Sequence, residues 1–360
     1  MKNNNIKKSK LSNFKNKLDF WATNSEEGGW NISSTDEGSQ KMLENENEKQ
    51  IKIQTGTEVV DDFVIEEETS DDERMIVNMG PQHPSTHGVL RLQAELEGEV
   101  VRRVKPIIGY LHTGMEKTGE ELNYFQGPTN TTRMDYLSPL FNELVFSLTT
   151  EKLIGIEVPK RAETIRILMT ELNRVSSHLV ALATGGMDIG ALSMMIFGFR
   201  ERELILDFFE KTTGLRMNHN YIRPGGVAAD LPDGWQKDVK EILKIIPEKL
   251  QDYDDMLLDN PIWKGRLQNV GILTTEECFA YGITGPSLRA SGYSWDLRKS
   301  QPYSGIENYD FDIPILNEGD VFARWRVKVL EIFESLKIIE QAMNNMPKGP
   351  YKVQDKKITP

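Results

Sequence analysis

The 21 residues 179–199, LVALATGGMDIGALSMMIFGF, carry a single charge, Asp188, and their reading decides the fold. An apolar run of that length invites a membrane-spanning helix. Glycines at 185, 186, 190 and 198 argue against one, and so does the acid near the middle. A central carboxylate costs about 2.5–3.5 kcal/mol even on the lenient insertion scale. Two buried helices of a soluble bundle, broken around Gly185-Gly186, account for the glycines as well, and this reading is adopted.

The neighbouring sequence supports a bundle. Upstream, Pro159 suits a first helical position, and Ile165, Leu168, Leu172, Val175, Leu179 and Leu182 recur at three- and four-residue steps. Downstream, a helix from near Ile189 to Thr213 ends at Gly214, a residue suited to a left-handed C′ position. Residues 137–154 predict another helix. Residues 236–258 predict one that Pro247 kinks or splits. In residues 320–346 Phe322, Trp325, Val329, Phe333, Leu336, Ile339 and Met343 stripe one face. Ahead of the helices, residues 89–96 alternate, with Leu90, Leu92, Ala94 and Leu96 opposite Arg91, Gln93 and Glu95. An apolar run at 75–79 precedes this strand, a turn at Glu97-Gly98 follows, and residues 99–107 continue as a further strand. The expected fold is mainly α (α+β): a long-helix bundle with a small antiparallel sheet at its N-terminal end.

Composition bounds the function. The 360 residues carry 43 Lys plus Arg against 55 Asp plus Glu, a net charge of −12, which lacks the basic footprint that nucleic acid demands. One cysteine, Cys278, excludes a disulfide framework, a self-contained iron–sulfur cluster and a Cys-rich zinc site. Residues 1–17 hold six lysines and no acid, and residues 58–73 hold nine acids and no base. Without hydrophobic periodicity, residues 1–74 read as a flexible, acidic extension, with a short ordered piece near Val59 to Ile65. Residues 75–135 then form a β-rich portion, and 136–360 the helical domain.

Three places carry possible chemistry. The first is residues 80–88, GPQHPSTHG, where two prolines stiffen a loop bearing His83 and His87. Two histidines four apart suit a zinc site on a helix, but Pro81 and Pro84 argue against a helix; a polar turn is the plainer reading. The second is Asp188, either the N-cap of the helix after the glycine pair or a buried acid with a partner. The third is residues 129–136, where Arg133, Asp135 and Tyr136 crowd ahead of a helix, an arrangement that an ordinary helix start also explains. No nucleophile elbow, phosphate loop or dinucleotide fingerprint is present, and Gly225-Gly226 reads as a turn.

Residues 80–92 (GPQHPSTHGVLRL), 109–117 (GYLHTGMEK), 133–136 (RMDY), 221–226 (YIRPGG) and 288–302 (LRASGYSWDLRKSQP) resemble the D subunit of NADH–quinone oxidoreductase, respiratory complex I. The resemblance runs in order from about Val77 to Pro360. It implies the fold of the nickel–iron hydrogenase large subunit, though a lone cysteine cannot hold that metal. It also implies no cofactor or metal on this chain, a quinone substrate (menaquinone or ubiquinone), and electrons from the terminal iron–sulfur cluster of the B subunit. His87 and Tyr136 map onto the two ligands of the quinone headgroup and Asp188 onto the acid that pairs with the imidazole. Thr86, Gly88 and Thr184 map beside them. Arg133 maps close to the cluster. Asn218 stands where the family commonly has a histidine beside that cluster, with His219 one step along. The implied partners are the B, C and I subunits of complex I and its membrane-embedded H subunit, with this chain a peripheral protein on the cytoplasmic side of the cell membrane. Members of the family continue past Pro360, so a missing C-terminal end is expected. Two rivals remain: a metal hydrolase built on His83 and His87, and a scaffold protein of the assembly without a site of its own.

Overall fold

The computed structural model describes residues 74–83, 86 and 88–355. The extension, with the piece expected near Val59 to Ile65, lies outside the described residues, as do Pro84, Ser85, His87 and residues 356–360. Strands β1 (Arg74–Met79), β2 (Arg91–Glu97) and β3 (Val100–Ile107) form one sheet in that order. The described residues divide into two compact units. One holds residues 74–77 and 95–103, where Arg74 pairs with Glu95 at 3.3 Å and Arg102 with Glu97.

The other unit holds residues 78–94 and 104–355. Its helices are α1 (Met115–Glu121), α2 (Gly127–Thr131), α3 (Pro139–Ile154), α4 (Lys160–Asp188) and α5 (Leu192–Thr213). A tight hairpin, β4 (Ile222–Arg223) and β5 (Gly226–Val227), follows. Then come α6 (Trp235–Leu257), α7 (Pro261–Leu267), α8 (Thr275–Ala280), α9 (Gly285–Ala290), α10 (Leu297–Ser300) and α11 (Val321–Asn344). Helix α4 is the axis, packing most extensively on α5 and α11. All six residues of its expected stripe, Ile165 to Leu182, are buried. On α11, Trp325, Val329, Leu336 and Ile339 are buried, and Phe322, Phe333 and Met343 pack against the same core. Asp320 caps α11 by accepting the Ala323 N–H at 2.7 Å. Gly214 ends α5 in the left-handed conformation, as its position predicts.

The structure corrects three expectations and adds one helix. The helix does not break at Gly185-Gly186; α4 runs through both glycines to Asp188, and the chain turns at residues 189–191. The glycines serve packing instead. A Cβ on Gly186 would lie 2.7 Å from the Met194 Cβ, and one on Gly198 would lie 2.7 Å from the Ala183 Cβ. Helices α4 and α5 therefore cross where only a missing side chain lets them approach. Pro159 is the N-cap of α4, with Lys160 first in the helix. Pro247 lies inside α6 without splitting it, since seven buried side chains from Trp235 to Leu257 anchor the helix on both sides. Residues 127–131 form a short helix of their own, opened by Pro128, and Arg133, Asp135 and Tyr136 lie between it and α3. Among the described residues, no helix is long and apolar enough to cross a membrane.

Candidate functional site

Tyr136 sits on the turn between α2 and α3, with 45 % of its surface exposed. Helix α4 holds that turn. The Asn173 amide donates to the Leu137 carbonyl at 3.0 Å and accepts the Leu140 N–H at 3.1 Å, and Ser177 bonds Ser138 at 3.4 Å. Asn142 closes the turn from α3 by donating to the Asp135 carbonyl at 3.0 Å. The phenol is thus carried on a braced turn and points outward.

Gly88, at the end of the loop of residues 80–88, comes to the same place. Thr86 is buried, and both its N–H and its hydroxyl donate to the His83 carbonyl, at 3.1 and 3.0 Å. Gly88 has φ +120, and a Cβ built on it would meet the Tyr136 hydroxyl oxygen at 4.0 Å. His87 lies outside the described residues, but its chain neighbour is beside the phenol. Further along α4, Thr184 donates to the Val180 carbonyl at 2.8 Å. Positions 173, 177, 184 and 188 fall on one face of the helix, because 11 residues make just over three full turns at 3.6 residues per turn. The face that grips the Tyr136 turn therefore continues to Thr184 and Asp188.

Asp188 is neither an N-cap nor buried. It is the last residue of α4 and exposed, and Ala191 precedes α5. Because the helix runs through its glycines, the acid falls at a C-terminal end, where the helix dipole disfavours a negative charge by about 0.3–1 kcal/mol.

Arg133 is exposed and its guanidinium donates to the Thr129 carbonyl. Asn218 adopts φ 56 and Asn220 φ 48, a left-handed conformation that Asn tolerates better than most residues. The side-chain oxygens of both are buried and meet no hydrogen-bond donor among the described residues. His219, between them, is buried edge-on against Phe209 at 4.8 Å and bonds the Leu215 carbonyl through Nδ1 at 3.1 Å. Burial pushes its pKa down to about 4 against that hydrogen bond, so the ring is a neutral donor at ordinary pH.

Beneath these turns lie two carboxylates that the sequence reading missed. Glu143 of α3 is fully buried. Its Oε1 accepts the Thr132 hydroxyl at 3.0 Å and the Asn220 N–H at 2.5 Å; its Oε2 accepts the N–H groups of Tyr221 and Ile222, each at 2.9 Å. Three successive backbone N–H groups make an anion-binding nest, and the left-handed asparagines shape it. Burial pushes the carboxyl up to about 7, although all four donors pull it down. When it takes a proton, Thr132 is the one partner that can rotate to accept it. Two turns along α3, Glu151 pairs with the fully buried Arg166 at 2.5 Å and accepts the Gly225 N–H at 2.7 Å. Arg166 also donates to the carbonyls of Arg223 and Gly226 at 2.8 and 2.9 Å. The YIRPGG hairpin is thereby clamped at both ends from one helix. The available signal was spacing: Glu143, Ser147 and Glu151 fall on the face of Leu140 and Leu144, where a solvated acid has no place.

A cavity of about 650 Å³ opens beside Asp135, walled by Ser138, Ser177, Trp295 and Leu297. Its lining residues His178, Arg289, Asp296 and Arg298 belong to a buried ion-pair network. Glu331 accepts from His178 at 2.7 Å and from Arg289 at 2.6 Å, while Arg298 binds Asp296 at 2.8 Å and Glu171 at 3.2 Å. Burial opposes ionisation of Glu331, but the His178 hydrogen bond and the Arg289 guanidinium overcome it and hold the carboxyl at about 2. Burial keeps His178 below its ordinary value, so it is a neutral donor. Arg289, Asp296 and Arg298 of the motif at 288–302 are thus core ion pairs. Cys278 is buried against the Ser291 hydroxyl at 3.5 Å.

The family described as respiratory-chain NADH dehydrogenase, 49 kDa subunit, matches residues 188–360. The NADH-quinone oxidoreductase D subunit of Rhodococcus jostii is 58% identical over 289 residues, and the D subunit numbered 1 of Salinispora arenicola is 57% identical over the same length. In each case the match covers 80% of this chain and 66% of the relative, so the chain spans just under two thirds of those proteins. The D subunit of Mycobacteroides abscessus is 54% identical over 311 residues, covering 86% of this chain and 72% of the relative. The chain belongs to the family of NADH–quinone oxidoreductase D subunits, the 49 kDa subunits of respiratory-chain NADH dehydrogenase.

Proposed function

We propose that this chain builds the quinone-reducing site of a proton-translocating NADH–quinone oxidoreductase and works only within that assembly. It would stand against the B, C and I subunits and the membrane-embedded H subunit, as a peripheral protein on the cytoplasmic side of the membrane. We take residues 75–135 as the portion that carries the site loop and 136–360 as the helical domain that braces it. The single observation that carries the reading is the approach of Gly88, next to His87, to the Tyr136 hydroxyl, within 4.0 Å of a built Cβ.

Reduction of a quinone to a quinol takes two electrons and two protons, so proton donors belong at both carbonyl oxygens. A phenol and an imidazole are suited, because each donates a hydrogen bond and can then release a proton along it. Tyr136 would serve one oxygen and His87 the other, and Thr86 and Gly88 would hold the loop in place. Asp188 would favour the imidazolium and orient the ring, with Thr184 one turn before it on the same helix face. The electrons come from an iron–sulfur centre held by the partner. This chain fits beside such a centre without ligating it: its one thiol is buried, an exposed guanidinium is available at Arg133, and two buried amide oxygens lack donors at Asn218 and Asn220.

In the assembled complex, Tyr136→Phe and His87→Ala should each abolish quinone reduction while NADH oxidation by an artificial acceptor persists. Asp188→Asn should lower the rate less, since the imidazole keeps its place. Full quinone activity in both of the first two variants would make a scaffold the better account.

A further inference from the structure

We propose that Glu143 is a positioning residue: one buried carboxylate locks the turn bearing Arg133 to the turn bearing Asn218, and so fixes how this chain presents both side chains to the partner's electron carrier. The proposal rests on the function proposed for the chain, in which those two turns face that carrier.

The geometry is specific. Thr132 and Arg133 are adjacent in the chain, and Asn218 lies two residues before Asn220. Four donors reach one side chain, one from the first turn and three from the second, at 2.5 to 3.0 Å. Ser147, one turn further along α3, adds a 3.4 Å bond to the Ile222 carbonyl. The second turn cannot satisfy itself. Its three N–H groups point inward at the carboxylate, and two of its residues stay in the left-handed region. Remove the acceptor and three buried donors lose their partner together, which favours a rearranged turn over an unpaired one. A displacement of Arg133 or Asn218 would alter the charge and dipole that the carrier meets. The signature of Glu143 therefore belongs in the carrier's own properties as well as in turnover.

The test uses the assembled complex and reads the partner's iron–sulfur centre by redox titration followed by electron paramagnetic resonance. Glu143→Gln keeps the volume but turns an NH2 group toward N–H donors. Its midpoint potential and line shape should depart from wild type, and quinone reduction should fall about tenfold with NADH oxidation by an artificial acceptor intact. Thr132→Val removes one donor of the four without changing volume, and it should move the potential in the same direction by less; Thr132→Ser should restore it. A wild-type potential and line shape in Thr132→Val, with or without an assembled Glu143→Gln, overturns the proposal. So does an assembled Glu143→Gln with a wild-type centre. Because the centre is read without quinone, failure of the quinone site itself shows separately, as full activity in Tyr136→Phe.

Discussion

Arg166 has no solvent exposure, and its guanidinium serves Glu151 and two hairpin carbonyls at once. Breaking such a pair from one side leaves a buried charge uncompensated, which costs about 3–5 kcal/mol. Arg166→Met should lose that much in urea unfolding of the purified chain. The double variant with Glu151→Gln should lose less, because no bare carboxylate remains. A single-variant loss below about 1 kcal/mol would mean that water reaches the site. Glu143 gives a pH signature of the opposite kind. Its carboxyl is held at about 7 in the fold against an ordinary value of 4.5, so the folded chain binds the proton more tightly. Its contribution is intact below pH 4.5 and is lost as pH rises to 7, by about 3 kcal/mol in all. Unfolding free energies measured from pH 4.5 to 8 should show the wild type declining relative to Glu143→Gln across that window. A constant difference would reject the raised value. Their place on the apolar face of α3 was legible from spacing, but their roles were not, because the hairpin N–H groups that each binds lie more than 70 positions away.

At the scale of elements, periodicity carried most of the fold. The stripes on α4 and α11 were readable because each residue's burial follows its own neighbours in sequence, whereas in β2 only Ala94 is buried and the expected alternation of burial is not seen. The turn between α4 and α5 was misplaced by several residues for a different reason. A glycine breaks a helix in one context and admits a neighbouring helix in another, and only the three-dimensional crossing decides. The two cases separate by substitution. Gly185 has nothing within 4 Å of a built Cβ, so Gly185→Ala should gain up to about 1 kcal/mol from helix propensity alone. Gly198 would place its Cβ 2.7 Å from Ala183 and 3.1 Å from the Leu179 carbonyl. Overpacking of that kind costs about 1–3 kcal/mol, and Gly198→Ala should be destabilising despite the same propensity gain. Thermal melting of the two variants checks the sign, and equal shifts would show that the helices slide apart freely.

Across the whole molecule, four of the five motifs of the family resemblance sort into two groups. Those at 80–92 and 133–136 converge around Tyr136, whereas those at 221–226 and 288–302 are anchored on buried carboxylates and arginines. Just ahead of the motif at 221–226 stands Asn218, which the proposed function places beside the partner's iron–sulfur centre. An amide cannot take up a proton, and neither can its neighbour within the ordinary range, since burial holds His219 at about 4. The partner's iron–sulfur centre should therefore have a low potential that changes with pH by well under one proton per electron. That behaviour suits a low-potential quinone such as menaquinone. Histidine tolerates the left-handed conformation that Asn218 adopts at φ 56, so Asn218→His can be made without breaking the turn. It should steepen the dependence toward about 59 mV per pH unit between the pKa values of the oxidised and reduced states, the slope for one electron and one proton. Redox titration of the assembled wild type from pH 6 to 8 decides the matter: a slope already near one proton per electron would place the proton acceptor elsewhere.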